Sequence, residues 1–137
     1  MESTDTIPQT EMKNEIDWSG KTILVADDVY TNFLLIEAIL KGTNANVIWA
    51  KNGQEAINQC VDHDHIDMIL MDIQMPVMNG IEATREIKRL RTDLPVIAQT
   101  AFTMDFDEKT LLMAGCSQVL TKPLIPDLFI KTLKKYF

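Results

Sequence analysis

Five positions along this chain carry side chains whose types and spacing could do chemistry together: the acidic pair Asp27-Asp28, a lone Asp72, Thr100 and Lys122. Each stands at the end of a short apolar run. Thr22-Ile23-Leu24-Val25-Ala26 leads into the acidic pair, Met68-Ile69-Leu70-Met71 into Asp72, Pro95-Val96-Ile97-Ala98 toward Thr100, and Val119-Leu120 into Thr121-Lys122-Pro123. Three carboxylates gathered at one place repel one another and hold their protons more tightly. A hard divalent ion offsets that repulsion. Mg²⁺ suits the role, because it binds through a few carboxylates and fills its remaining positions with water and phosphate oxygens. Lys122 would add a fixed positive charge and Thr100 a hydroxyl donor. Metal, ammonium and hydroxyl together make a clamp for the three oxygens of a phosphoryl group. Phosphoryl transfer rests mainly on such positioning and charge neutralisation. A carboxylate can itself be the nucleophile. Asp72 fits that role, since it ends the most apolar run and stands alone. Asp27 and Asp28 are adjacent, which suits metal binding by one directly and by the other through water.

Each residue taken singly has a plainer reading. An Asp after a strand is usually a helix cap or a solvated loop residue. A Lys before Pro is usually a surface charge, and a Thr after a strand a turn residue. Their joint occurrence at successive strand ends is what points to a site. His63 and His65, in the polar stretch DHDHID, read as a solvated loop rather than a metal site. Met68, Met71, Met75 and Met78 read as core and loop packing. Neither GxGxxG nor GxxxxGK occurs, so no glycine-rich phosphate loop is expected.

The elements that must position these residues follow from periodicity. A further apolar run, Val47-Ile48-Trp49-Ala50, makes five, and each run is followed by a helix-period stretch. Whether Trp49 on this run lies near enough to the acidic pair to report on a bound metal is left open. Gly42 is the expected stop of the first helix and Gly115 of the fourth, while Asn52-Gly53 and Asn79-Gly80 are expected to turn the chain into helices. Strands that are apolar throughout and alternate with helices predict a parallel sheet covered on both faces. Right-handed crossovers then make a doubly wound five-stranded α/β domain. Chemistry in such folds lies beyond the carboxyl ends of the strands. All five candidate positions are predicted on that rim.

Bulk properties bound the partners. A chain of 137 residues suits one domain. The polar residues 1–20 read as a flexible linker, with Trp18 expected to dock on the domain at 21–137. A net charge of −7 argues against phosphate-backbone recognition of nucleic acid and against an anionic membrane surface. No stretch is apolar and long enough to span a bilayer, and residues 1–20 lack a basic region followed by an apolar run, so no secretory signal is expected. Cys60 and Cys116 lack CxxC spacing and read as free thiols in a reducing, cytoplasmic compartment.

With these residues assembled, the sequence resembles the response-regulator receiver domains of the flavodoxin-like fold. The matching pieces are ILVADD at 23–28, MILMDIQMPVMNGIEATREIK at 68–88, PVIAQTA at 95–101 and LTKPL at 120–124. The resemblance implies that Asp72 accepts a phosphoryl group from a phosphohistidine on a histidine kinase or a histidine phosphotransfer domain. It implies Mg²⁺ ligation by Asp27, Asp28, Asp72 and the backbone carbonyl of Gln74. It further implies phosphoryl contacts from Thr100 and Lys122, with Thr100 moving on activation. The only chemistry so implied is the domain's own phosphorylation and dephosphorylation. The segment IQMPVMNGIEATREIK is similar to receivers fused to hybrid histidine kinases. That likeness and the linker-like start favour a fragment of such a kinase, with membrane anchoring of the parent left open, over a stand-alone regulator. No output domain is expected after the last helix, and a homodimer is left open. One position departs from the family: Val119 stands where Tyr or Phe is common, three residues before Lys122, so an aromatic switch is not expected. Two rivals remain. An aspartyl-phosphate phosphatase of the haloacid dehalogenase type would need an acid two residues after its nucleophile, where Gln74 and Val29 stand. A pseudo-receiver acting only as an interaction module would lack part of the acidic and basic set, all of which is present.

Overall fold

Short runs of buried, largely β-branched and aliphatic residues form the strands, and amphipathic segments between them form the helices. The structure, a computed structural model, describes residues 16–101 and 108–137. Ten principal elements alternate: β1 (Thr22–Ala26), α1 (Tyr30–Leu40), β2 (Asn46–Ala50), α2 (Gly53–Asp62), β3 (Met68–Asp72), α3 (Gly80–Leu90), β4 (Val96–Thr100), α4 (Glu108–Ala114), β5 (Gln118–Thr121) and α5 (Pro126–Lys134). The five strands are parallel in the order β2-β1-β3-β4-β5. This is the doubly wound (βα)₅ sheet expected from the alternation, with the flavodoxin-like fold that the resemblance implies. Every residue of β1, β3 and β4 is buried, as a strand covered on both faces requires. The edge strands β2 and β5 are only partly buried.

Side chains alternate across the sheet and supply two cores. Ile23, Val25, Met68, Leu70 and Ile97 point to the side covered by α1 and α5, where Phe33, Ile36, Phe129 and Leu133 meet them. Leu24, Ala26, Ile69, Met71 and Ala98 point to the other side, against Ala56 and Cys60 of α2, Ala83 and Ile87 of α3, and Leu111 of α4. Met68, Met71 and Met75 are core residues and Met78 packs against the second core, as expected. Both cysteines are free and buried, and burial pushes the Cys60 thiol up to about 11.

Helix boundaries follow local chemistry. Asn52 accepts from the Glu55 N–H at 2.8 Å, and Asn79 accepts from the N–H groups of Ile81 and Glu82 at 2.9 and 3.0 Å. Both asparagines thereby satisfy donors that the first helical turn leaves open. Gly115 closes α4 with φ +119°, a conformation that L side chains avoid. The stop of α1 differs from expectation. Gly42 lies inside a short 3₁₀ turn, Lys41–Thr43, and the left-handed residue is Asn44 with φ 65°. Asparagine tolerates that region, and Gly42 is therefore not the terminator.

Of the lead-in expected over residues 1–20, residues 1–15 lie outside the described residues, as do 102–107. Trp18 docks as expected. It is buried, donates its backbone N–H to Thr43 O at 2.6 Å, and its ring meets the Phe137 ring edge-on at 4.9 Å. Lys21 lies 5.5 Å over the same Phe137 ring. Replacing Trp18 with Ala should destabilise the domain by about 3 kcal/mol, the usual range for a buried aromatic. Urea unfolding of the two proteins at equal ionic strength measures it. An unchanged midpoint would mean that this contact contributes nothing to the fold.

Candidate functional site

The carboxyl ends of β1, β3, β4 and β5 bring the predicted residues to one rim. Asp27 and Asp28 follow β1, Asp72 ends β3, Thr100 ends β4 and Lys122 follows β5. Cα register carries them there: Ala26 pairs with Met71, Asp72 with Gln99, and Thr100 with Thr121. The Lys122 N–H donates to Thr100 O at 2.8 Å, extending the ladder one residue past β5. The Lys122–Pro123 peptide bond is cis.

Carboxylate oxygens of Asp27, Asp28 and Asp72 lie within 4.8 Å of one another, the only such cluster of acids, histidines or cysteines among the described residues. Asp27 is fully buried, Asp72 nearly so, and Asp28 is exposed. Lys122 Nζ stands 3.4 Å from Asp72 Oδ2 and 3.7 Å from Asp27 Oδ2. One oxygen of each buried carboxylate is held by the backbone that follows it. Asp27 Oδ1 accepts from the Val29 N–H at 2.9 Å and from Asn32 Nδ2 at 3.3 Å. Asp72 Oδ1 accepts from the Gln74 N–H at 3.1 Å. Burial holds the Asp72 carboxyl above the usual carboxylate value of 3.8, and the nearby Asp27 charge pushes the same way. Lys122 and the Gln74 N–H oppose them without cancelling the shift.

The donor chemistry fits a hard divalent cation. Asp27 Oδ2 is buried and has no hydrogen-bond partner among the described residues. It sits beside two more carboxylates, so the group is acceptor-rich and under-neutralised by the single ammonium. Oxygen ligands of this kind are what Mg²⁺ takes, and its remaining positions go to water or phosphate.

The loop after β3 keeps this geometry. The Gly80 N–H donates to Ile73 O at 3.1 Å. A Cβ on Gly80 would lie 2.5 Å from Asp72 O and 2.8 Å from Ile73 Cα, both backbone atoms that cannot swing aside. Glycine is therefore required for α3 to begin against the candidate nucleophile's own peptide.

All the expected positions meet on the rim. Thr100 is buried there, and its hydroxyl donates at 3.3 Å to Ala101 O rather than to a carboxylate. Gln74 is exposed on the loop beyond Asp72. The His63 and His65 rings meet edge to face at 5.3 Å, and neither belongs to an acidic or thiol cluster among the described residues. The position of Trp49, left open from sequence, is beside the acidic pair: its Nε1 donates to Asp27 O at 2.8 Å. The pairing of Val25 with Trp49 across β1 and β2 brings it there. Two participants in the neighbourhood were not picked out from sequence: Asn32 and Gln99. A single glutamine inside the otherwise apolar run VIAQT was the available signal for the second.

Comparison with known proteins identifies the family. The family described as "Response regulator receiver domain" matches residues 23–134. The polar-differentiation response regulator DivK of Brucella ovis is 36% identical over 119 residues, covering 85% of this chain and 95% of that protein. Among solved structures, the receiver domain of sensor histidine kinase PA1611 from Pseudomonas aeruginosa, with magnesium coordinated in its active-site cleft, is 32% identical. It superposes with a TM-score of 0.78 over 86% of this chain and 98% of that one. The receiver domain in the Saccharomyces cerevisiae complex of the histidine phosphotransfer protein Ypd1 with the response regulator Ssk1 is 27% identical. Its TM-score is 0.77, with 85% of this chain and 88% of that one covered. By its sequence match, its sheet order and the acids on its rim, this chain belongs to the response-regulator receiver domains, signalling modules of two-component systems.

Proposed function

We propose that Asp72 is the phosphoacceptor of this receiver and takes its phosphoryl group from a phosphohistidine on a histidine kinase or a histidine phosphotransfer domain. The observation that carries the reading is the Asp72 carboxylate, nearly buried on the central strand, with Lys122 Nζ 3.4 Å from one oxygen and the Gln74 N–H on the other. One Asp72 oxygen attacks phosphorus, the P–N bond to the donor imidazole breaks, and the imidazole leaves with that electron pair. Lys122 and Thr100 hold the transferred oxygens. Asp27, Asp28, Asp72 and the Gln74 carbonyl would hold Mg²⁺, which when bound neutralises charge on the phosphoryl group and its acceptor. The partner class draws on the Ssk1 relative's phosphotransfer complex and the metal on the kinase receiver's magnesium cleft.

We infer a cytoplasmic module; no helix among the described residues is long and apolar enough to cross a membrane. The hybrid-kinase setting favoured from sequence has support in the kinase receiver that is 32% identical. The match to 95% of the length of a DivK regulator favours a stand-alone regulator instead. The reading frame upstream of this chain distinguishes the two. With Val119 half-buried against the second core and carrying no ring, activation is expected to act on the segment after Thr100 more than on an aromatic switch.

A small phosphodonor with Mg²⁺ should add one phosphoryl group to the wild-type protein and none to Asp72→Asn. Intact-mass measurement decides it, and equal labelling of the variant would remove Asp72 from the role.

The same substitution has a signature in stability. The folded pKa of Asp72 lies above its unfolded value, so the folded protein binds the extra proton in the window between them. Stability from this group is therefore greatest at low pH and falls as pH rises through that window. Asp72→Asn should melt higher than wild type at neutral pH without Mg²⁺. The difference should vanish below the carboxylate's usual value of 3.8. A variant that melts lower at neutral pH would contradict the burial penalty.

Mg²⁺ should change the fluorescence of Trp49, which reaches the Asp27 carbonyl. Asp28→Ala should weaken that titration on the order of tenfold, about 1.4 kcal/mol. The response should disappear in Trp49→Phe, leaving only the Trp18 background. An Asp28→Ala curve that overlays the wild type would argue against the metal site.

A further inference from the structure

Asn32 is a polar residue that the helix carrying it does not require. It stands in the first turn of α1, where asparagine is a weak helix former and an acidic side chain would suit the helix dipole better. That turn holds no acidic residue, and its N-cap, Val29, makes no side-chain bond. Asn32 is half-buried and lines a cleft of about 400 Å³ with Asp27, Gln99 and Lys122. Its Nδ2 donates to Asp27 Oδ1 at 3.3 Å. A carboxylate only accepts, so the amide must present its nitrogen there, because its oxygen would be repelled.

The other polar atoms of Asp27 show what this bond does. The N–H donates to Ala50 O at 3.0 Å, and the carbonyl accepts from Trp49 Nε1 at 2.8 Å. Oδ1 accepts from the Val29 N–H at 2.9 Å as well as from Asn32. A carboxylate oxygen has about two lone-pair sites, so these two donors fill it. Oδ2 remains, buried, without a hydrogen-bond partner among the described residues and 3.7 Å from Lys122 Nζ. The terminal torsion of an aspartate is broad, so a single donor would leave the carboxylate free to turn. One of the two donors is backbone, fixed by the start of α1. Asn32 is the side chain that completes the pair.

We propose that Asn32 is a positioning residue for the metal: by filling Asp27 Oδ1 it leaves Oδ2 as the oxygen of Asp27 offered to Mg²⁺. The proposal rests on the reading of Asp27, Asp28 and Asp72 as the Mg²⁺ site. Mg²⁺ tolerates little deviation in the placement of its oxygens, so a carboxylate that turns binds it less well. Hydrogen-bond partners behind a metal-ligating side chain are typically worth roughly ten- to hundredfold in metal affinity. Asn32 acts through Asp27 and not on the phosphoryl group. A site filled with Mg²⁺ should therefore transfer at the wild-type rate without it.

Calorimetric Mg²⁺ titration of the full chain, together with phosphoramidate labelling followed by intact mass, tests this. Asn32→Leu keeps the shape of the side chain and removes the donor. Asn32→Ala removes it with less apolar surface and serves if the first variant fails to fold. Each should weaken Mg²⁺ binding about tenfold. The Mg²⁺ concentration giving half-maximal labelling should rise by the same factor, while the rate at saturating Mg²⁺ stays within about twofold of wild type. A folded variant that binds Mg²⁺ as tightly as wild type would overturn the proposal. So would a saturated rate that falls along with the affinity, since a general disturbance of the site lowers both. A wild type that binds no Mg²⁺ would overturn the metal reading and this proposal together. Tight binding by wild type, matched by the variants, overturns this proposal alone.

Discussion

Lys122 stands between two buried carboxylates, 3.4 Å from Asp72 and 3.7 Å from Asp27, and much of the molecule can be read as what that placement requires. The ammonium belongs to β5 and the nearer acid to β3, with β4 between them. Adjacent strands lie about 4.8 Å apart, so the charge must cross roughly two such spacings. A lysine stem can bridge that gap only if its backbone is anchored at the rim. The N–H of Lys122 donating to Thr100 O at 2.8 Å supplies the anchor. Asp27 needs the same precision, and its backbone is held twice. Its N–H donates to Ala50 O at 3.0 Å, and its carbonyl accepts from Trp49 at 2.8 Å.

This cluster works against the fold that carries it. Taking carboxylates out of water is unfavourable, and one ammonium cannot neutralise three acids. The raised pKa of Asp72 records that imbalance, with burial as its largest cause. The sheet beneath compensates. Strands β1, β3 and β4 are buried along their whole length and lie between two separate apolar cores. A cation held there would relieve that imbalance, and the buried strands fix where Asp27 and Asp72 stand.

Much of this was legible in the sequence because the parallel central strands must be apolar on both faces. Runs such as Met68–Met71 therefore announced themselves, and the polar residue ending each run was automatically on the rim. Edge strands carry a weaker signal. Only the last residue of β2 is buried, and the start of that strand at Asn46 lay outside the apolar run. Gly42 misled because glycine is the common helix terminator, whereas here the 3₁₀ turn passes the left-handed position on to Asn44. The closeness of Trp49 to Asp27 depends on register between β1 and β2, which no local pattern encodes. Gln99 was hidden for a different reason. A polar residue inside an apolar run looks like noise until the fold shows which side chains share its cleft.

The backbone around Asp72 adds a last constraint. Gly80 approaches so closely that a methyl group would meet Asp72 O at 2.5 Å, and Val77 in the same loop holds φ 71° although it is β-branched and exposed. Such a conformation is unfavourable for valine and persists only where the surroundings over-determine it. Three such surroundings are present: the Gly80 N–H on Ile73 O, the Met78 N–H on Pro76 O at 2.8 Å, and the Gly53 N–H on Met78 O at 3.2 Å. The last of these ties the loop to the start of α2. A change in the charge or hydrogen bonding of Asp72 therefore acts on a loop that is already tightly held and locally strained. Backbone hydrogen bonds of that loop connect the residues after Asp72 to the starts of α2 and α3.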